Sequence, residues 1–81
     1  MPPKGEKKLA AFEAIRKEYF ESKEWAKKEK LKTKAINGES LDYAFWKMAK
    51  AIIDARKDVA LEDKMEIVRD SWRSFLVQAF R

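Results

Sequence analysis

The chain has no cysteine and no histidine, and only two glycines and two prolines among its 81 residues. Without cysteine there are no disulfide staples, and without either residue there are no zinc sites of the Cys/His type, no thiol nucleophile and no imidazole base. Ser22, Ser40, Ser71 and Ser74 therefore lack the usual partner that would activate a hydroxyl. The glycines stand at positions 5 and 38, too far apart to build a phosphate-cradling loop. Valine, isoleucine and threonine are sparse, which argues against strands. No apolar run approaches the roughly 20 residues of a membrane-spanning helix. The opening MPPKGEKKLAAF is basic but carries no apolar segment behind it, so no secretory signal is expected. These absences point to a protein without a cofactor, a metal or an enzymatic activity. The lack of cysteine also fits a reducing, intracellular compartment.

What is present is amphipathic helix. Charged residues make up 41% of the chain and apolar residues 46%. A chain combining both with so few breakers has enough apolar surface to fold, unlike a disordered chain. The length suits one domain. The expected architecture is all-α, a three-helix bundle with a long, lysine-rich first helix over residues 6–34, then helices over about 40–60 and 63–80. Residues 1–5 are expected to form a flexible tail, since two prolines and Gly5 discourage helix there.

In the first helix Leu9, Phe12, Ile15, Tyr19, Phe20 and Ala26 share a face. Beyond Ala26 the stretch KKEKLKTK keeps a high helix propensity, and the stop is expected at Asn37-Gly38, where Gly38 can adopt the left-handed conformation. Such a helix would be about 43 Å long, so its basic end would overhang its neighbours. The second helix opens at Ser40 as N-cap with Asp42 in the first turn. Its core stripe is Leu41, Phe45, Met48, Ile52, Ala55 and Val59, and Trp46, Ala49 and Ile53 form a second stripe beside it. The third helix begins at an Asp63/Glu66 spacing that resembles a capping box. Its expected core face is Met65, Val68, Trp72, Phe75, Leu76 and Ala79, with Arg69 and Arg73 paired to Glu66 and Asp70 on the outer side. Since no breaker separates the second and third helices, one fused helix is the alternative.

Three features carry functional weight. Asp54, Asp58, Glu62, Glu66 and Asp70 recur at i,i+4, but no glycine-bent loop supplies the remaining oxygens a hard cation needs, and a solvated face is expected. The apolar residues left after one stripe per helix include Trp25, Leu31, Trp46, Ile53, Ile67, Val77 and Phe80. Tryptophan dominates protein interfaces, so Trp46, Ala49, Ile53 and Trp25 are the candidate surface for a protein partner or for self-association. The competing reading makes the second helix central, with Trp46 and Ile53 covering the first helix near Trp25 and Leu31.

The third feature is charge. Residues 1–34 carry 11 Lys/Arg against 6 Glu, whereas residues 35–81 carry 8 against 8, so the whole net charge of +5 lies in the first part. Lys23, Lys27, Lys28, Lys30, Lys32 and Lys34 surround Trp25 in a pattern suited to phosphates with an aromatic platform, with Lys4, Lys7 and Lys8 as further contributors. The alternative function is therefore a nucleic-acid-binding module. The leading one is a non-enzymatic interaction module or small subunit of a larger assembly. No motif in the chain assigns it to a family.

Overall fold

A computed structural model describes the backbone of residues 4–81 and the side chains of residues 9–81. It contains three helices, α1 (Lys4–Lys28), α2 (Leu41–Ala55) and α3 (Leu61–Phe80). Among the described residues there is no strand beyond one two-residue pairing in a loop. The three-helix architecture expected from periodicity is the one observed. Of the expected tail, residues 1–3 lie outside the described residues, while Lys4 and Gly5 are already helical.

Helix α1 ends six residues before the expected Lys34. Lys30 takes a positive φ of 59°, the Leu31 N–H bonds back to the Ala26 carbonyl at 3.0 Å, and the Lys30 N–H bonds to Lys27 at 3.0 Å. This pair of bonds is a Schellman closure, and its usual apolar contact is made by Leu31, which is buried. One apolar residue among lysines thus stops the helix, because burying it is worth more than continuing a solvated turn. Asn37-Gly38 does not close a helix. Both residues have positive φ, 53° and 76°, and Ile36 and Glu39 exchange two backbone hydrogen bonds of 3.1 and 2.9 Å across them. That geometry is a type I′ turn, for which Asn-Gly is the favoured pair.

Ser40 is the N-cap of α2, as expected, in an extended conformation, but its side chain makes no capping bond. The helix stops at Ala55 rather than near Ala60, and Arg56 turns its guanidinium back onto the Ile52 carbonyl at 3.4 Å. Val59 consequently leaves the core stripe and lies exposed in the loop, and α2 and α3 are separate helices. Helix α3 starts at Leu61, with Ala60 rather than Asp63 at the N-cap position. Glu62 and Asp63 instead sit in the first turn, where their charge faces the positive end of the helix dipole.

Contacts between Glu18 and Arg69, Ser22 and Arg73, and Glu29 and Arg81 run in the same order along α1 and α3, so these two are parallel, while Phe12 meets Trp46 and Tyr19 meets Phe45, so α2 runs against them. Helix α3, not α2, is central: it packs on both neighbours, whereas α1 and α2 touch each other least. The reason is in the side chains. Helix α3 buries Met65, Val68, Trp72 and Leu76, α2 buries Phe45 and Ala49, and α1 contributes, among the described side chains, only Ile15 and Ala26 as buried apolar residues. An aromatic line from Tyr19 through Phe45 and Trp72 to Phe75, with ring centroids 5.2–5.5 Å apart, ties the helices together. Phe75 and Ala79, expected in the core, are exposed at the edge of this line.

Candidate functional site

The two seams of α1 differ in kind. Toward α3, the buried face of α1 carries Glu18 and Ser22 instead of apolar residues, and Glu18 is only 4% exposed. Its carboxylate accepts a hydrogen bond from the Arg69 Nε at 3.0 Å and one from the Ser22 hydroxyl at 2.8 Å, and it pairs with the Arg73 guanidinium at 3.7 Å. The Glu18 carboxylate beside it pushes the Arg69 guanidinium above its usual pKa. Arg73 also reaches the Ser22 hydroxyl at 3.5 Å and lies 5.1 Å from the Trp25 ring centre. Arg69 and Arg73 therefore turn inward to α1 rather than outward to Glu66 and Asp70. Periodicity could not show this, because arginine's long stem can bury while its head seeks a charge on another helix. The one signal available in the sequence was the i,i+4 spacing of Glu18 and Ser22, matched by that of Arg69 and Arg73.

Toward α2, the seam is aromatic and open. Phe12 is 43% exposed and Phe20 56% exposed, and between them lie half-buried Tyr19 and Trp46. Trp46 meets Phe12 edge-on, with centroids 5.5 Å apart and planes at 70°, and Tyr19 meets Phe20 at 6.1 Å. Together with Ile15, Phe45, Arg16 and Asp42 they line a groove of about 300 Å³. Arg16 stands 5.9 Å from the centre of the Phe12 ring. At the other wall, the neighbouring Ser40 hydroxyl, a hydrogen bond from the Tyr43 N–H (2.9 Å) and the positive charge of Lys23 hold the Asp42 carboxyl below its usual pKa. Leu9, two turns of helix before Arg16 and 56% exposed, lies on the same side of α1. Phe12, Phe20 and Leu9 were expected in the core. They remain partly outside because α3 occupies the centre and α2 meets α1 least: Trp46 covers one edge of Phe12 and leaves Phe20 and Leu9 to solvent.

The residues singled out as a partner surface do not form one patch. Trp46 is in the groove. Ala49 is 0% exposed and lies in the core, so no partner can reach it in this fold. Ile53 is half-buried against the core. Trp25 belongs to the other seam, under Arg73. Nor does Trp46 cover Trp25 and Leu31: it covers Phe12, near the opposite end of α1.

Lys23, Lys27, Lys28, Lys30, Lys32 and Lys34 are all exposed. Only the first three are on α1, while Lys30, Lys32 and Lys34 follow its closure in the connection to α2, so the overhanging basic helix end is absent. Lys27 pairs with Glu24 at 3.5 Å. With Arg73 across its ring, Trp25 is not a free stacking platform. The side chains of Lys4, Lys7 and Lys8 lie outside the described residues. The acidic residues Asp54, Asp58, Glu62, Glu66 and Asp70 are all exposed, as expected, but they do not share one helical face: Asp54 is at the end of α2, Asp58 in the loop, and the other three on α3. Between α1 and α3 a second, more polar cleft of about 270 Å³ is lined by Ala14, Lys17, Glu21, Leu61, Met65 and the Glu18–Arg69 pair.

The fold and groove define the class: an all-α three-helix bundle with an open aromatic seam, in which no helix of the described residues is long and apolar enough to cross a membrane. No family model, curated protein or solved structure matches the chain.

Proposed function

We propose that the protein is a non-enzymatic interaction module, or a small subunit of an assembly, that binds a protein partner through the groove between α1 and α2. One observation carries the reading. Two phenylalanines and a tryptophan converge on a single groove, while the bundle's own core closes without the exposed rings. Large aromatics gathered in one exposed patch are what protein interfaces use, whereas scattered exposed apolar residues mean little. The contact set is accordingly Phe12, Phe20 and Trp46, with Tyr19 beneath them, rather than Trp46 with Ala49, Ile53 and Trp25. The exposed lysines support a nucleic-acid reading less well, because their aromatic companion is already occupied.

The test is site-specific photo-crosslinking in the producing cell, with a benzophenone side chain at position 20 or, as control, at exposed position 71 on α3. The expected result is a discrete adduct from position 20 alone that disappears when Phe12→Ser is added. Equal adducts from both positions, or none from position 20, would count against the groove. Equilibrium unfolding of Phe12→Ser checks that the change leaves the bundle folded.

A further inference from the structure

The lysines that follow α1 have no part in the groove, and the fold gathers them at one end of the bundle. Because α1 and α3 are parallel and α2 runs against them, the last turns of α1 and α3 and the first turn of α2 share that end. Across residues 23–47 together with Arg81, eight cations stand against four carboxylates. The other described side chains, residues 9–22 and 48–80, carry eight cations against nine carboxylates. The excess of positive charge among the described side chains is therefore confined to one end.

Each carboxylate there already has a cation beside it. Glu24 pairs with Lys27 at 3.5 Å, Glu29 with Arg81 at 3.7 Å and Glu39 with Lys47, and Asp42 lies near Lys23. Residues 74–80 of α3 add no carboxylate. Lys28, Lys30, Lys32 and Lys34 are left exposed, with no ion pair among the described residues. The segment that carries them is anchored at both ends, by buried Leu31 and by the turn that joins Ile36 to Glu39. Six residues of chain keep the four positions within about 21 Å of one another even at full extension.

We infer that this end is a second contact surface, independent of the groove, that binds the phosphate backbone of double-stranded nucleic acid without reading its sequence. The residue types decide the mode. Lysine is a rotatable point charge that follows phosphates without a fixed register, whereas base edges are read best by bidentate arginine. Arg73 and Arg81 are already paired, with Glu18 and Glu29. Trp25 and Tyr43 each carry a cation across the ring, which takes away the stacking platforms that single strands use. What remains at this end is charge, and a duplex rewards charge most. It presents one phosphate per about 1.7 Å of its axis and releases condensed counterions to each lysine that replaces them. Residues 32–35 include no large apolar side chain to insert into a membrane surface.

The test is fluorescence anisotropy of a labelled mixed-sequence duplex, titrated with the full chain from low to physiological salt. Binding at low salt is expected, with log K falling against log salt at a slope of about −3 to −4, since four phosphates are neutralised. The quadruple variant Lys28→Gln, Lys30→Gln, Lys32→Gln, Lys34→Gln is expected to bind at least ~10-fold more weakly. A control that removes the same charge elsewhere, Lys17→Gln, Lys50→Gln, Lys57→Gln, Lys64→Gln, is expected to stay within ~3-fold of the parent. Far-UV circular dichroism checks that both variants are folded. Phe12→Ser is expected to bind the duplex as the parent does, so the groove reading and this one stand or fall separately. Equal losses in the two quadruple variants overturn the site, as does the absence of binding at low salt. Tighter binding of the unpaired strand means a stacking contact and overturns the duplex. Tighter binding of a poly-glutamate peptide, or of vesicles of mixed phosphatidylserine and phosphatidylcholine, makes the partner an acidic protein or a membrane, and the inference fails.

Discussion

Helix α1 faces α3 with charge and α2 with aromatic rings, and their roles are the reverse of what those residue types suggest. The charged seam is the buried one, where Glu18 is held by Ser22, Arg69 and Arg73. The aromatic seam is the open one, where Phe12 and Phe20 stand in solvent. Burying a carboxylate is costly unless its lone pairs are matched, and here three groups match them. That arrangement gives α1 one register against α3, since sliding by a residue would orphan the carboxylate. Apolar contacts toward α2 impose no such demand. The comparison teaches that in this small bundle the polar residues specify and the spare aromatics remain available.

The most severe way to break the comparison is to remove what both seams share. Phe45 is fully buried and touches Tyr19 and Trp72, so Phe45→Ala is expected to lower the unfolding free energy by about 3–5 kcal/mol, read from denaturant titration. Next, Glu18→Ala strikes the charged seam alone. A loss of about 2–3 kcal/mol is expected, below the cost of a fully buried pair because Arg69 and Arg73 retain partial access to water. Replacing both partners, as Glu18→Leu with Arg69→Met, is expected to recover most of that loss in the same titration. A double variant no better than Glu18→Ala would show that the pair contributes stability as well as register.

Smaller effects sharpen the contrast. Lys30 holds a left-handed conformation at the closure of α1, so Lys30→Gly is expected to raise stability by about 0.5–1 kcal/mol, measured as an upward shift of the thermal midpoint. Phe20→Ser on the aromatic seam is expected to change stability by no more than ~0.5 kcal/mol. That a phenylalanine should matter less to folding than a glutamate on the same helix is the sharpest statement of the difference. A large loss at Phe20 would make the groove part of the core and remove the docking surface.

The smallest effect is one of pH. Because Asp42 has a lowered pKa when folded, its contribution to stability is complete above its unfolded value near 3.8 and disappears as pH falls through the folded value. Asp42→Asn is therefore expected to be slightly less stable than the parent at neutral pH, where the contribution is complete, with the difference closing as pH falls below about 4.

The parts of this molecule legible from sequence are those fixed by short-range periodicity. Phe45, Met65, Val68, Trp72 and Leu76 repeat at helical spacing and are buried as expected. The boundaries were harder, for reasons that are local but subtle. Leu31 closes α1 because one apolar side chain can be buried in the core, and a run of good helix formers hides that event. Asn37-Gly38 suits both a helix stop and a type I′ turn, and the choice depends on whether a helix reaches it. The candidate site is half legible: Trp46 is a spare aromatic by spacing, but the same periodicity that marks the buried face of α3 assigns Phe12 and Phe20 to the core.

What the sequence by itself determined is the number of helices, their amphipathic character and the buried face of α3, since these follow from residue spacing within a single helix. Only the tertiary structure decided which helix is central, which of α1's two seams closes, and that Arg69 and Arg73 turn inward. Those outcomes depend on residues about 50 positions apart finding one another, with the Glu18–Arg69 separation of 51 as the clearest case. With α3 at the centre and Glu18 holding α1 against it, α2 covers only part of Phe12 and none of the exposed face of Phe20, and the aromatic seam stays open.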